Sequence, residues 1–296
     1  LTDKLVGLTH ECDYPSEVQH VPVVTRTLVP GSLPAREVDA WVSRYAHEHR
    51  ALYHLDRELL ARLRPDLILT QELCEVCAVA YDEVLEAARS LRFVLGAPDD
   101  SCEPTVLSLE PMSLADVLGQ LEVVGRATGT LERARQVRAR LEKQLDQLRR
   151  RNRAASRRPS VLCLEWLDPP WCAGHWVPEM VQAAGGQDNL GQACRPSRRI
   201  TWEAVREYNP DVVVLMPCGY TARQAAREYQ DLKESGRLPH WWGELAAVRQ
   251  GRVFAVEATA YFSRPGPRVV EGVAILAEIL HPDRFGAARQ GHTWLA

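Results

Sequence analysis

Several clusters of side chains in this sequence are of the types that hold metals, exchange electrons or grip a ligand. His10, Glu11 and Cys12 put an imidazole, a carboxylate and a thiol in consecutive positions, a donor mixture that suits a soft-to-intermediate metal ion. Cys74 and Cys77 stand at the C-x-x-C spacing of a redox pair or of half a zinc site. No second such pair lies at zinc-ribbon spacing, so the two also read as ordinary buried, inert thiols. A third set is aromatic: Trp166, Trp171, His175, Trp176, Tyr220, Tyr261 and Phe262, with Arg264 and Arg268 beside the last two. Aromatic side chains gathered on successive loops favour a broad, flat, partly apolar ligand. The two arginines could pair with its carboxylate, phosphate or amide arms. His175, between Gly174 and Trp176, could reach a metal held within that ligand. Loop-to-loop packing is the plainer alternative for the same aromatics. There is no G-x-S-x-G elbow, no P-loop and no G-x-G-x-x-G, so a hydrolase or nucleotide enzyme is unsupported.

The elements that must carry these groups are short strands. Leu5 to Leu8, Leu67 to Thr70, Ser160 to Glu165, Asp211 to Met216 and Arg252 to Val256 are apolar runs, and each is followed by one of the loops just named. In open parallel α/β sheets, ligands sit in the crevice outside the carboxyl ends of the strands. An internal repeat supports two such sheets. Glu58 to Pro65-Asp66 precedes Leu67 to Thr70, and Glu203 to Pro210-Asp211 precedes Val212 to Leu215. Both 203 − 58 and 211 − 66 equal 145, and each copy is a helix stopped by a proline before a buried strand.

Between the copies, Ser113 to Arg153 has apolar residues three or four apart and polar ones between, with a Ser-x-x-Asp start. Gly125 and Gly129 allow either one long helix or a kinked pair. As a single helix it would reach roughly 60 Å, a spine bracing two lobes. The expectation is an α/β chain of two Rossmann-like lobes joined by one long backbone helix: residues 1–112, a connector at 113–155, and residues 156–296.

Composition narrows the class. A chain of 296 residues is about two domains, and a net charge of −3 gives no attraction to nucleic acid. The arginines of 149–158 read as a solvated helix end and linker. No stretch approaches the roughly 20 apolar residues of a membrane span, and no secretory signal is visible. Eight cysteines mildly favour a reducing compartment, which keeps a cytoplasmic location as an alternative. The chain starts at Leu1 inside what reads as a helix-to-strand connection, as though an N-terminal strand and helix of the first lobe were missing.

Leu5 to Pro15, Glu58 to Asp66, Pro169-Pro170 with Gly174, Gly185-Gly186-Gln187-Asp188-Asn189, Asn209-Pro210-Asp211 and Tyr261 to Arg268 together resemble the iron-siderophore/vitamin B12 periplasmic-binding family, in its cobalamin-binding-protein-like branch. The likeness covers nearly the whole chain and keeps motif order. It implies a class III solute-binding protein fold and no enzymatic activity. The cargo would be cobalamin or a related chelate (corrinoid, haem or iron-siderophore), held between the lobes and delivered by a monomer to an ABC importer permease in the periplasm or at the cell surface. It further implies that Asp13, Tyr14 and the loops at Trp171 and Tyr261-Phe262 wall the cargo, and that Glu58 and Glu203 dock on the permease. The sequence departs from the family in its richness in metal-type donors at His10 to Cys12 and at Cys74 and Cys77. The rival readings are therefore a cysteine- and histidine-based metal or redox enzyme, and a cytoplasmic corrinoid carrier.

Overall fold

The computed structural model describes residues 1–30, 35–47, 52–71, 81–94, 103–153, 157–285 and 292–294. They fall into two compact units, Leu1–Glu110 and Pro111–Ala296.

In the first unit, strand β1 (Thr25–Thr27) pairs antiparallel with β2 (Tyr53–Leu55), with helix α1 (Ala35–His47) between them in sequence. Helix α2 (Arg57–Leu63) leads to β3 (Leu67–Thr70), and α3 (Tyr81–Val94) leads to β4 (Thr105–Ser108), which lies parallel to β3. The expected strand at Leu5 to Leu8 does not form; Leu8 makes one isolated bridge to Val23. Leu5 and Val6 are exposed, and among the described residues the ladder does not extend to them.

The second unit opens with a correction to the spine. Helix α4 (Leu114–Ala127) and helix α5 (Leu131–Arg153) are two rods packed side by side, not one rod of 60 Å. Thr128-Gly129-Thr130 makes the reversal, with Gly129 at φ +67. Gly125 permits the close crossing, because a Cβ there would lie 2.6 Å from the Ala134 Cβ. Glu122 then fastens the pair: it binds Arg138 at 3.0 Å across the turn and Arg126 at 3.5 Å along its own helix. At about 1.5 Å per residue, α5 alone extends roughly 34 Å. The start of α4 follows the sequence closely, since the Ser113 hydroxyl accepts from Asp116 N while the Asp116 carboxylate accepts from Ser113 N.

The sheet of this unit comprises, among the described residues, β5 (Val161–Leu167), β6 (Pro170–Cys172), β7 (Arg198–Arg199), β8 (Val212–Leu215), β9 (Val253–Val256) and β10 (His292–Trp294), in the order β10-β9-β8-β5-β6-β7. Strands β5, β8 and β9 are parallel; β6, β7 and β10 run antiparallel to their neighbours. Every residue of β8 is buried, as expected of a parallel strand covered on both faces. On one face Leu162, Leu164, Val213 and Leu215 pack with Val205, Tyr229 and Trp242. Helices α6 (Val177–Ala183) and α11 (Val269–Leu280), the latter buried along its length, form a second packed layer that also meets α5. Helices α7 (Trp202–Tyr208), α8 (Ala222–Glu234), α9 (Ala246–Arg249), α10 (Ala258–Tyr261) and α12 (Pro282–Phe285) complete the unit.

The repeat holds residue for residue. Asp56 caps α2 by accepting from Leu59 N, and Thr201 caps α7 by accepting from Ala204 N. Arg64 ends α2 at φ 49 with its N–H on Leu60 O, and Asn209 ends α7 at φ 43 with its N–H on Val205 O. Each left-handed cap is followed by the proline that stops the helix, and the strands β3 and β8 start two residues later.

Candidate functional site

The strand-end loops of the second unit gather the aromatic set around a bulge. The β5–β6 register pairs Leu164 with Cys172 but Trp166 with Trp171, so Glu165 is an extra residue on β5. Without it Leu164 and Trp166 would share a face; with it Leu164 and Leu167 enter the core and Trp166 turns to the opposite face. Residues paired across antiparallel strands project side by side, so Trp166 and Trp171 stand in one row, both half-buried. Tyr220, from the loop after β8, extends the row: its ring meets Trp166 edge-on at 5.6 Å. Tyr220 is fixed in turn by Thr259, whose N–H and hydroxyl both donate to its carbonyl, at 3.4 and 3.2 Å.

Glu165 braces the bulge. Its carboxylate accepts from the Ser197 side chain and from Gly174 N, yet burial outweighs those bonds and pushes the carboxyl up to about 7. Gly174 lets the loop press onto the neighbouring segment, because a Cβ there would sit 2.4 Å from Arg195 O. His175, at φ 51, donates its N–H to Arg195 O at 2.6 Å and accepts from Cys194 N at 2.9 Å. Its Nε2 is enclosed without a partner among the described residues, and burial lowers its pKa. In this arrangement Nε2 of His175 is turned away from solvent. Trp171 Nε1 is likewise enclosed and unpaired.

Two further expectations are corrected. Trp176 is 4% exposed and Phe262 1% exposed, and the Trp176 indole donates to Phe262 O at 2.8 Å. They clamp two loops together from beneath and form no wall. Tyr261 stays half-buried with the Arg268 guanidinium 5.9 Å above its ring, and Arg264 is half-buried nearby in the same loop.

In the first unit, Asp13 and Tyr14 are exposed, Tyr14 by 60%. His10 is held locally: its N–H and Nδ1 both bond the Thr25 hydroxyl, at 3.1 and 2.8 Å, and its Nε2 lies 3.5 Å from Glu11. Cys12 packs against Leu8, Val18 and Val21. Among the described residues no group of three or more His, Cys, Asp or Glu side chains could hold a metal ion, so His10, Glu11 and Cys12 are not a metal centre by themselves. Cys74 and Cys77 lie outside the described residues. A cavity of about 530 Å³ in this unit is lined by Arg26, His54, Asp56, Arg57 and Glu58 among others. It has no aromatic wall, Asp56 is occupied by its cap, and Arg57 pairs with Glu86 at 2.8 Å; a flat apolar ligand has no platform there. Glu58 and Glu203 occupy the same exposed position in the first turns of α2 and α7.

Glu165 and Glu228 carried no signal in the sequence, because their perturbation comes from burial. The Glu228 carboxyl, on α8, is pushed up to about 7 by burial and by Asp168, and one of its oxygens has no partner. Burial and that same carboxylate push the Tyr220 phenol up to about 12. A carboxyl whose folded pKa is raised contributes stability that is fully present below its ordinary value of 4.5 and lost as pH rises through about 7. Glu228→Gln, which has no charge to bury, is therefore expected to be more stable than the parent at pH 8 by about 1 kcal/mol after allowance for partial exposure, and no more stable at pH 4. Urea unfolding at both pH values checks this; an equal difference at the two would show that ionisation of Glu228 is not the cause.

Comparison with known proteins gives a consistent result. A family described as periplasmic binding protein matches residues 1–260. An uncharacterized ABC transporter substrate-binding lipoprotein of Bacillus subtilis (strain 168), YvrC, is 26% identical over 295 residues, covering 96% of this chain and 76% of that protein. A periplasmic heme binding protein from Pseudomonas aeruginosa superimposes with a TM-score of 0.69 at 20% identity, covering 99% of this chain and 90% of the other. The periplasmic vitamin B12 binding protein BtuF of Vibrio cholerae does so with a TM-score of 0.65 at 18% identity, covering 95% and 89%. At such identities the likeness to solved structures is one of fold.

Proposed function

Because this chain belongs to the periplasmic binding protein family, we propose that it is the substrate-binding component of an ABC importer and that its cargo is a metal chelate: a corrinoid, a haem or an iron-siderophore. The observation that carries the cargo class is the row of Tyr220, Trp166 and Trp171 at the strand ends of the second unit. Such a row, two indoles side by side with a phenol ring set edge-on to the first, offers extended apolar contact to a broad, flat ligand. Tyr261 with Arg268 adds an amphipathic contact from the loop after β9. The names of the fold neighbours, which bind heme and vitamin B12, support the same class.

The reading is binding without turnover, by a protein that works as a monomer and meets a permease through Glu58 and Glu203. The lipoprotein designation of the Bacillus relative supports a place at the cell surface or in the periplasm, and no finding favours the cytoplasmic alternative. No helix among the described residues is long and apolar enough to cross a membrane. Titration of the purified protein with cobalamin and with haemin, followed by the visible absorbance of each, tests the proposal. Saturable binding of at least one at micromolar concentration is expected, and absence of binding by both, together with a ferric siderophore, would reject it.

A further inference from the structure

Strand β7 consists of two arginines at the edge of the sheet. The register pairs Cys172 with Arg198 and Trp171 with Arg199, so the two side chains leave the strand on opposite faces. Arg198 takes the Cys172 side and donates to Leu190 O at 3.0 Å. Arg199 takes the Trp171 side, beside the aromatic row. It is exposed, and among the described residues no carboxylate lies within ion-pair distance of it. Tyr220, Trp166, Trp171 and Arg199 therefore follow one another across the loop after β8 and strands β5, β6 and β7. Trp166 to Arg199 is two strand spacings, about 10 Å, a span that suits a macrocycle better than a small acid.

We propose that Arg199 is the anion-recognising end of this aromatic shelf, so that the ligand is a planar, largely apolar ring system bearing a carboxylate arm. The inference rests on the chelate reading above and narrows it to a class of cargo. A guanidinium can grip a carboxylate with two parallel N–H bonds and an ion pair, whereas an amide arm offers only a neutral carbonyl oxygen, with no opposite charge and no matching fork. An unpaired cation at the end of an apolar platform thus selects among flat ligands by the charge of their side arms.

The probes are metal-free protoporphyrin IX, which carries two carboxylates, and its dimethyl ester, which carries none, with binding read by quenching of tryptophan fluorescence. The parent protein is expected to bind the diacid about tenfold more tightly than the ester, the effect of one charge-assisted bond at an exposed site. Arg199→Gln is expected to lose that preference with the ester's affinity unchanged, and Arg199→Lys to keep part of it. Because Arg199 is exposed on an edge strand, an unchanged thermal midpoint in both variants is the check on folding. A diacid preference that survives in Arg199→Gln, or equal binding of diacid and ester by the parent, would overturn the role of Arg199 while leaving the shelf as a ring platform. Failure of the parent to bind either porphyrin would overturn the porphyrin-like form of the chelate reading, and this inference with it.

Discussion

Trp171→Ala is expected to weaken binding of the chelate about thirtyfold, the loss of roughly 2 kcal/mol that follows truncation of a central aromatic contact. Trp171 stands between Trp166 and Arg199 in the cross-strand row, so its removal opens a gap in the middle of the row. The indole Nε1 has no hydrogen-bond partner among the described residues, so no polar network is lost with it. Trp166→Ala is expected to have a comparable effect and to free the Tyr220 ring that meets it at 5.6 Å. Cys77→Ser, by contrast, leaves affinity unchanged if the cargo lies on the aromatic shelf. Equilibrium titration of the three variants with the same chelate decides the matter; full affinity in Trp171→Ala with loss in Cys77→Ser would favour a thiol-based site and sink the shelf.

Charge reversal at both Glu58 and Glu203 is expected to leave cargo affinity intact and to lower permease-stimulated ATP hydrolysis on the order of tenfold or more, since like charges brought face to face in an interface cost several kcal/mol. The structural basis is the precision of the repeat. Both glutamates occupy the second position of a seven-residue helix, and cap, left-handed terminus and following strand all recur at the same offset. The neighbouring Arg57 does not neutralise Glu58, because it pairs with Glu86 at 2.8 Å. Single reversals should give intermediate values if each unit supplies one contact. The assay is ATP hydrolysis by the reconstituted importer at saturating loaded protein; stimulation equal to that of the parent in Glu58→Arg/Glu203→Arg would remove these residues from the interface.

Much of this molecule can be read from local sequence rules. The twin segments ending in Pro65 and Pro210 announce a helix, a stop and a strand, and both form, because cap chemistry and proline act within a few residues of where they stand; the expected burial holds for β8 but not for β3, which is half-buried with Leu69 exposed. The capping box at Ser113 is of the same kind. The α/β class follows from the alternation of such segments, and the resemblance of the motifs to the periplasmic binding family agrees with the family match over residues 1–260.

What the tertiary structure alone decided depends on partners distant in the chain. Gly125 and Gly129 permit a bend; the turn at Gly129, the close packing of Gly125 on Ala134 and the Glu122–Arg138 ion pair together make the helical stretch a hairpin. Leu5 to Leu8 has the composition of a strand, but among the described residues it forms only the single bridge from Leu8 to Val23. Trp176 and Phe262 look the same in the sequence as Trp166 and Trp171; the hydrogen bond of one pair and the register of the other put the first beneath the loops and the second on their surface. Glu165 reads as the last residue of a strand, and its role as the bulge that re-aims Trp166 exists only once β6 is laid against β5. Arg199 gains meaning in the same way, from the strand it pairs with. A sequence records which side chains are offered, while register and burial, set by contacts between elements from the near Trp166–Trp171 pair to the distant Trp176–Phe262 bond, determine which of them share a face.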